Sequence, residues 1–161
     1  MGSKLLTQDF LAAAQELAGR IHAQIPLTAA MQLSAQSHDG KTLVLAAPLT
    51  PNINDKGTAF AGSITALGNV TGWCLLTLWS ERVFGRNQCR VAIYEAQFSF
   101  KKPLTGDFTA TVSLPDDAES EALREAVANG KNGKITLEVR LADAAGVAVK
   151  LTGSYAVWKQ G

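Results

Sequence analysis

Along the chain, apolar residues recur first at helical spacing, then at every second position, then almost without interruption, and finally at every second position again. Phe10, Leu11, Ala14, Leu17, Ala18 and Ile21 share one face over residues 7–24, which predicts an amphipathic helix. Thr7 is placed to cap its start, Asp9 lies in the first turn, and Arg20 and His22 lie near its end, all suited to the helix dipole. Pro26 stops it. Met31, Leu33 and Ala35 then alternate with Gln32, Ser34 and Gln36, and Leu43 and Leu45 follow a His38-Asp39-Gly40 reversal. That pattern predicts two short strands joined by a hairpin turn. Pro48 and Pro51 close the second strand and open a loop over residues 50–58.

From Gly57 to Ser80 no residue is charged. A helix over residues 59–83 accommodates this run, and at 1.5 Å per residue it would be roughly 36 Å long, enough to cross a small domain. Phe60, Ile64, Leu67, Thr71, Leu75 and Leu78 form one face, and Gly68 and Gly72, four apart, would admit the close approach of another backbone. Each interior glycine costs about 1 kcal/mol against alanine, so close packing has to offset it. An uncharged run of this length is also a candidate membrane span. Its glycines, Asn69 and several Ser and Thr, together with the alternating segments around it, predict a helix enclosed by a sheet and no membrane span.

The period then returns to two. Residues 88–100 read as a long strand whose apolar phase shifts between Ile93 and Tyr94, the sign of a bulge. Phe108, Ala110, Val112 and Leu114 form the next strand, and residues 116–130 a short acidic helix with Leu123 and Val127 inward. Ile135, Leu137, Val139 and Leu141 form another strand, and the last runs from Val147 to near Trp158. Without repeats or linkers, residues 1–161 are expected to form one α+β domain, with an N-terminal helix within 1–25 and the central helix at 59–83. One curved antiparallel sheet wrapped around one apolar helix meets the burial needs of both.

Composition removes several functions. The formal net charge is +1, whereas a nucleic-acid-binding domain usually shows a basic stripe or a pI above about 9, so no nucleic-acid partner is expected. The two cysteines, Cys74 and Cys89, are far apart and read as core thiols. They suit a reducing compartment, and with no secretory signal at the start a cytoplasmic location is expected. No His, Cys or carboxylate cluster has the spacing of metal ligands. His22 and His38 read as surface residues.

Chemistry concentrates between Pro51 and Asn69. A polar loop carrying Asn52, Asn54, Asp55 and Lys56 empties into the start of the apolar helix, where free N–H groups can hold a partial negative charge. Ala61, Gly62 and Ser63 are small, so a ligand could reach the backbone there. Asn54 to Thr58 has the Asn-x-x-Gly-Thr spacing of the loop preceding the central helix in hot-dog thioesterases. The longer run Asn54-Asp55-Lys56-Gly57-Thr58-Ala59-Phe60-Ala61-Gly62-Ser63 resembles the thioesterase family named after the YiiD C-terminal domain. A weaker match is Phe100-Lys101-Lys102-Pro103-Leu104-Thr105-Gly106-Asp107, similar to a strand end and turn of that superfamily.

The resemblance implies a hot-dog fold and hydrolysis of an acyl thioester of coenzyme A or acyl carrier protein. It implies a homodimer, or a dimer of dimers, with active sites at the interface and no cofactor beyond the coenzyme A moiety of the substrate. Backbone N–H groups near Ala61 or Gly62 would stabilise the oxyanion. Asp55, the only acid in the loop, would activate water or attack directly, and Asn54 would orient water or the carbonyl. Phe60, Ser63, Asn69 and Trp73 would line the substrate site, and Lys101 and Lys102 would either grip coenzyme A phosphates or end a solvated strand. One departure stands out: many relatives carry an acid where this chain has Asn69. Either Asp55 takes the base's role, or Asn69 positions a water, or the domain binds thioesters without cleaving them. A dehydratase of the same fold usually needs a histidine beside the helix, and none is there. Gly57 to Ser63 nearly copies a P-loop but lacks the Lys before the Ser, and no Gly-x-Ser-x-Gly elbow makes Ser63 a nucleophile.

Overall fold

The computed structural model of the chain describes residues 2–161, with side chains from Asp9 onward. Helix α1 spans Gly2–Gln24 and so begins ahead of Thr7, whose expected capping side chain lies outside the described residues. Ala14, Leu17, Ala18 and Ile21 form its buried face. Pro26 ends α1 and also opens a short second helix, α2 (Pro26–Ala30), which the hydrophobic pattern does not reveal. The buried Thr28 hydroxyl donates to the carbonyls of Ile21 and Ile25, at 3.0 and 2.8 Å, satisfying acceptors left over at the end of α1.

Strand β1 (Ser34–His38) starts later than the alternation from Met31 suggests, because Gln32 takes a left-handed φ of 56°. Met31 and Leu33 are buried all the same. The turn into β2 (Thr42–Ala47) is held by Asp39, whose carboxylate accepts from the N–H groups of Lys41 and Thr42 at 2.9 and 2.7 Å. His38 is not on the surface, as expected, but buried. Helix α1 packs over this hairpin, so that the Phe10 ring meets His38 edge-on at 5.7 Å. His38 Nδ1 bonds the Thr42 carbonyl at 2.9 Å. His22 is half-buried too, with Nε2 at 2.7 Å from the Leu33 carbonyl.

The central helix α3 spans Ala61–Phe84, 24 residues and about 36 Å long. Strands β3 (Cys89–Phe100), β4 (Phe108–Ser113), β5 (Gly133–Asp143) and β6 (Gly146–Lys159) follow, with α4 (Asp117–Ala128) between β4 and β5. All six strands join one antiparallel sheet in the order β1-β2-β4-β5-β6-β3. The sheet curves around α3, as in hot-dog proteins. Ile64, Leu67, Thr71, Leu75 and Leu78 are buried against it, whereas Phe60 lies just outside the helix and is largely exposed. Phe108, Val112, Val139, Leu141 and Leu151 supply the facing side of the core, each burial contributing about 1.5–3 kcal/mol. The register of β3 against β6 slips between Ile93 and Glu95, so Tyr94 is the bulged residue the alternation predicted.

Gly68 and Gly72 admit side chains rather than a backbone. A Cβ on Gly68 would meet Phe98 at 3.1 Å, and one on Gly72 would fall on the Tyr155 hydroxyl and 2.8 Å from its Cε2. Tyr155 is fully buried, and its hydroxyl donates to the Asn69 carbonyl at 2.9 Å. Burial pushes this phenol's pKa up, as it does that of the Cys74 thiol, which reaches about 12. Helix α4 is capped by Asp116, which accepts from Glu119 N–H at 2.9 Å, and turns Leu123 and Val127 inward. Among the described residues, no helix is long and apolar enough to cross a membrane, and no His, Cys or carboxylate group forms a metal site.

Candidate active site

The loop before α3 is built around two asparagines. Asn52 is 2% exposed, and its Nδ2 donates to the carbonyls of Met31 and Pro48 at 2.9 and 2.8 Å. Its own carbonyl accepts from Phe60 N–H at 2.7 Å. Asn54 Oδ1 accepts from the N–H groups of Lys56 and Thr58, at 2.8 and 3.0 Å, while Nδ2 donates to Thr58 Oγ1 at 2.8 Å. Gly57, with a φ of 80°, completes the turn. The Asn-x-x-Gly-Thr spacing therefore has a structural cause: one amide side chain holds both sides of a tight reversal.

This reversal sends Asp55 outward. Its side chain is 80% exposed and forms a 3.0 Å ion pair with Lys56, itself 76% exposed. Such a surface pair contributes at most about 1 kcal/mol. The loop is anchored from the other side by Ala59, whose N–H donates to the Leu104 carbonyl at 2.9 Å. That bond unites the two sequence motifs, 51–69 and 100–107, at the start of α3. Asp107 reinforces the junction by accepting from Leu49 N–H at 2.8 Å.

Phe60 precedes the first turn of α3 in an extended conformation and offers no side-chain cap. The first internal helix bond runs from Ile64 N–H to the Phe60 carbonyl at 3.0 Å. Among the described residues, nothing accepts from the N–H groups of Ala61, Gly62 and Ser63. These are the donors a helix start leaves free. The Phe60 ring folds back over Gly62, where a Cβ would sit 2.8 Å from the ring Cζ, so a side chain here would push the exposed ring aside. Ser63 is half-buried, and the hydroxyl that bonds back in this turn is that of Thr65, to Gly62 at 3.0 Å.

Asn69 and Trp73 lie further along α3 on the side of β3 and β6. Asn69 Oδ1 is shut off from solvent and has no partner, although the residue's backbone carbonyl holds Tyr155. Trp73 Nε1 donates to the Val91 carbonyl at 2.8 Å, which fixes the half-buried ring against β3. Lys101 is exposed, and Lys102 Nζ donates to the Ala145 carbonyl at 3.1 Å. The chain thus brings Asn54, Asp55, Phe60, Ala61, Gly62, Ser63 and the 101–104 segment to one end, while Asn69 and Trp73 look towards the middle of α3.

Sequence reasoning missed a cleft of about 560 Å³ at the other end of that face, between the end of α1, the second half of α3 and the start of β3. Trp73, Thr77, Glu81, Cys89 and Trp158 line it. The four-residue spacing from Asn69 through Trp73 to Thr77 was the available signal. A larger groove of about 800 Å³ lies by the β1–β2 turn and α4, and touches none of the motif residues.

A family model described as "Putative thioesterase (yiiD_Cterm)" matches residues 14–159. The chain belongs to that family. Among solved structures, this family member is similar to the "putative thioesterase from Shewanella oneidensis", with 27% identity over 91% of this chain and 98% of that one and a TM-score of 0.80. It is also similar to a protein of unknown function from Chlorobaculum tepidum, 29% identical over 91% of this chain and 94% of that one, with a TM-score of 0.84. The PaaI protein of the E. coli phenylacetic acid degradation operon shares the fold, at 12% identity over 94% of this chain and 96% of that one and a TM-score of 0.67. Membership in the YiiD-type family supports thioester hydrolysis as the general activity.

Proposed function

We propose that the chain hydrolyses an acyl thioester of coenzyme A or acyl carrier protein, as a cytoplasmic homodimer with no resident cofactor. The observation that carries this is the uncapped first turn of α3, with the free N–H groups of Ala61, Gly62 and Ser63 behind a glycine. A thioester carbonyl oxygen seated there gains negative charge as water adds to its carbon. The Ala61 and Gly62 amides and the helix dipole stabilise that charge, and one such donor is commonly worth about a hundredfold or more in rate. The C–S bond then breaks, and the thiolate leaves and takes up a proton. For the carbonyl to enter, the Phe60 ring swings off Gly62 and becomes a wall beside Ser63.

Asp55 is the carboxylate assigned to activate the water, with Asn54 orienting it, and this role requires Asp55 to exchange Lys56 for substrate. Lys101 and Lys102 meet the phosphates of the coenzyme A portion. The dimer forms through β3, which pairs with β6 on one side and is free on the other. Antiparallel pairing of two β3 strands sets the end of one beside the start of the other. Because α3 begins beside the segment that follows β3, this brings the α3 start of one subunit to the Asn69 and Trp73 face of its partner.

A second reading, a thioester-binding module without turnover, is favoured by Asn69, an amide where the resemblance implies an acid in many relatives, and by the outward direction of Asp55. Thiol release from a panel of acyl-CoAs separates the two. Hydrolysis that falls at least about a hundredfold in Asp55→Ala but persists in Lys56→Ala supports the hydrolase. Tight binding with no thiol release supports the module. Light scattering on the eluting protein tests the dimer, which a monomer at assay concentration would refute.

A further inference from the structure

The cleft between α1, α3 and β3 holds a polar atom that the fold leaves without a partner. Thr77 Oγ1 is shielded from water and makes no hydrogen bond, and two turns earlier on the same face Asn69 Oδ1 is in the same condition. Buried hydroxyls in folded proteins are nearly always bonded, because an unpaired one is costly, so an orphan lining a cavity points to a partner that arrives with a ligand. We propose that this cleft receives the acyl group of the substrate and that Thr77 selects acyl groups carrying a hydroxyl or keto oxygen over plain alkyl ones. The inference rests on the thioesterase reading above, and it adds the class of acyl group.

Three further observations fit a neutral, oxygen-bearing occupant. The Trp73 indole N–H is already committed to Val91, so this ring offers a flat wall and no donor. At the rim one Arg20 nitrogen donates to both Glu81 oxygens at 2.9 and 3.0 Å, so that pair is neutralised, and Arg90 stands exposed at the mouth. Most of the remaining wall is polar, which a long hydrocarbon chain would desolvate without return. The length of α3 fixes how the site is assembled. Gly62 and Thr77 are fifteen residues apart, roughly 22 Å along the helix, too far for one short acyl group to touch both in one chain. The α3 start of a second copy, brought to the beginning of β3 by edge pairing, supplies the carbonyl end.

The test uses the full chain and two matched pairs of substrates: hexanoyl-CoA with its ω-hydroxy counterpart, and benzoyl-CoA with its para-hydroxy counterpart. The hydroxylated member of at least one pair should show kcat/KM about tenfold higher. Thr77→Val, which keeps the shape and removes the hydroxyl, should bring that ratio near one by slowing the hydroxylated substrate. Thr77→Ser should restore the preference, and an unchanged circular dichroism spectrum and urea midpoint for Thr77→Val control for folding. A ratio near one in the natural chain, or a ratio that Thr77→Val leaves unchanged, overturns the proposal while leaving thioester hydrolysis intact. If no substrate releases thiol, binding of the corresponding non-hydrolysable thioethers is measured instead. A hydroxyl preference lost in Thr77→Val then supports the selectivity with the hydrolase reading gone, and its absence removes both.

Discussion

Replacing Gly72 by alanine should destabilise the fold by about 3 kcal/mol, although alanine is the better helix former. The new Cβ would occupy the position of the Tyr155 hydroxyl and approach the ring Cε2 to 2.8 Å. Tyr155 has nowhere to retreat, because it is fully buried within β6 and bonded to the Asn69 carbonyl at 2.9 Å. Overpacking in a closed core costs about 1–3 kcal/mol. Displacing the phenol from its acceptor leaves a buried hydroxyl unsatisfied, at about 1–3 kcal/mol more. The gain in helix propensity, about 1 kcal/mol, offsets only part. For a chain of this size the melting temperature should fall by about 6–12 °C. Urea unfolding monitored by circular dichroism gives the free energy directly. Gly19→Ala is the control, since a Cβ there meets nothing within 4 Å, and it should gain about 0.5–1 kcal/mol. Tyr155→Phe combined with Gly72→Ala should cost less than the two changes added together, because both act on one contact. A Gly72→Ala protein as stable as the natural one would refute the claim that this glycine exists to seat Tyr155.

Acid should weaken the protein through His38. Burial holds its pKa below the ordinary value, the Arg82 cation pushes the same way, and the Thr42 carbonyl and Asp39 oppose them. Below about pH 6.5 the unfolded chain takes a proton that the folded chain refuses, so stability is complete above that pH and is lost as pH falls towards the lowered value. Urea midpoints at about pH 7.5 and 5.5 should differ, and His38→Gln should shrink the difference; an unchanged difference in that variant contradicts the assignment. Asn52→Ala removes the donor to two carbonyls and should cost about 2 kcal/mol, read by chemical denaturation, with a loss below about 0.5 kcal/mol counting against its role as the pin of the loop. Of the two thiols, Cys74, buried and with a pKa of about 12, should stay unreactive towards a disulfide reagent in the folded chain, and only Cys89 should titrate; modification of both before unfolding would contradict the packing.

Much of this architecture is legible in the chain because its causes are local. The uncharged run of α3, broken by glycines and Asn69 and flanked by alternating segments, reads as a helix inside a sheet, and the bulge at Tyr94 shows as a slip in alternation that the register reproduces. Helix α2 is not legible, because five residues after a proline carry too little periodicity to register. The burial of His38 is not legible either, because a His-Asp-Gly turn looks solvent-exposed until α1 is laid across it. In the site, the loop and the free helix start follow from residue types and spacing. The direction of Asp55 does not, since it depends on how the Asn54 amide divides its bonds among the backbone groups around it. Thr77 is harder to read, because its four-residue spacing from Trp73 and Asn69 looks like one more packed helix face until the cavity beside it is seen.

The Ala59–Leu104 bond ties the mouth of the central helix to the segment leaving β3, one of the sheet's two border strands. Whatever grips that border therefore also steadies the place where the carbonyl is to be held. Specific activity per chain should accordingly fall on dilution in step with dissociation, as though assembly and turnover were read from a single binding curve.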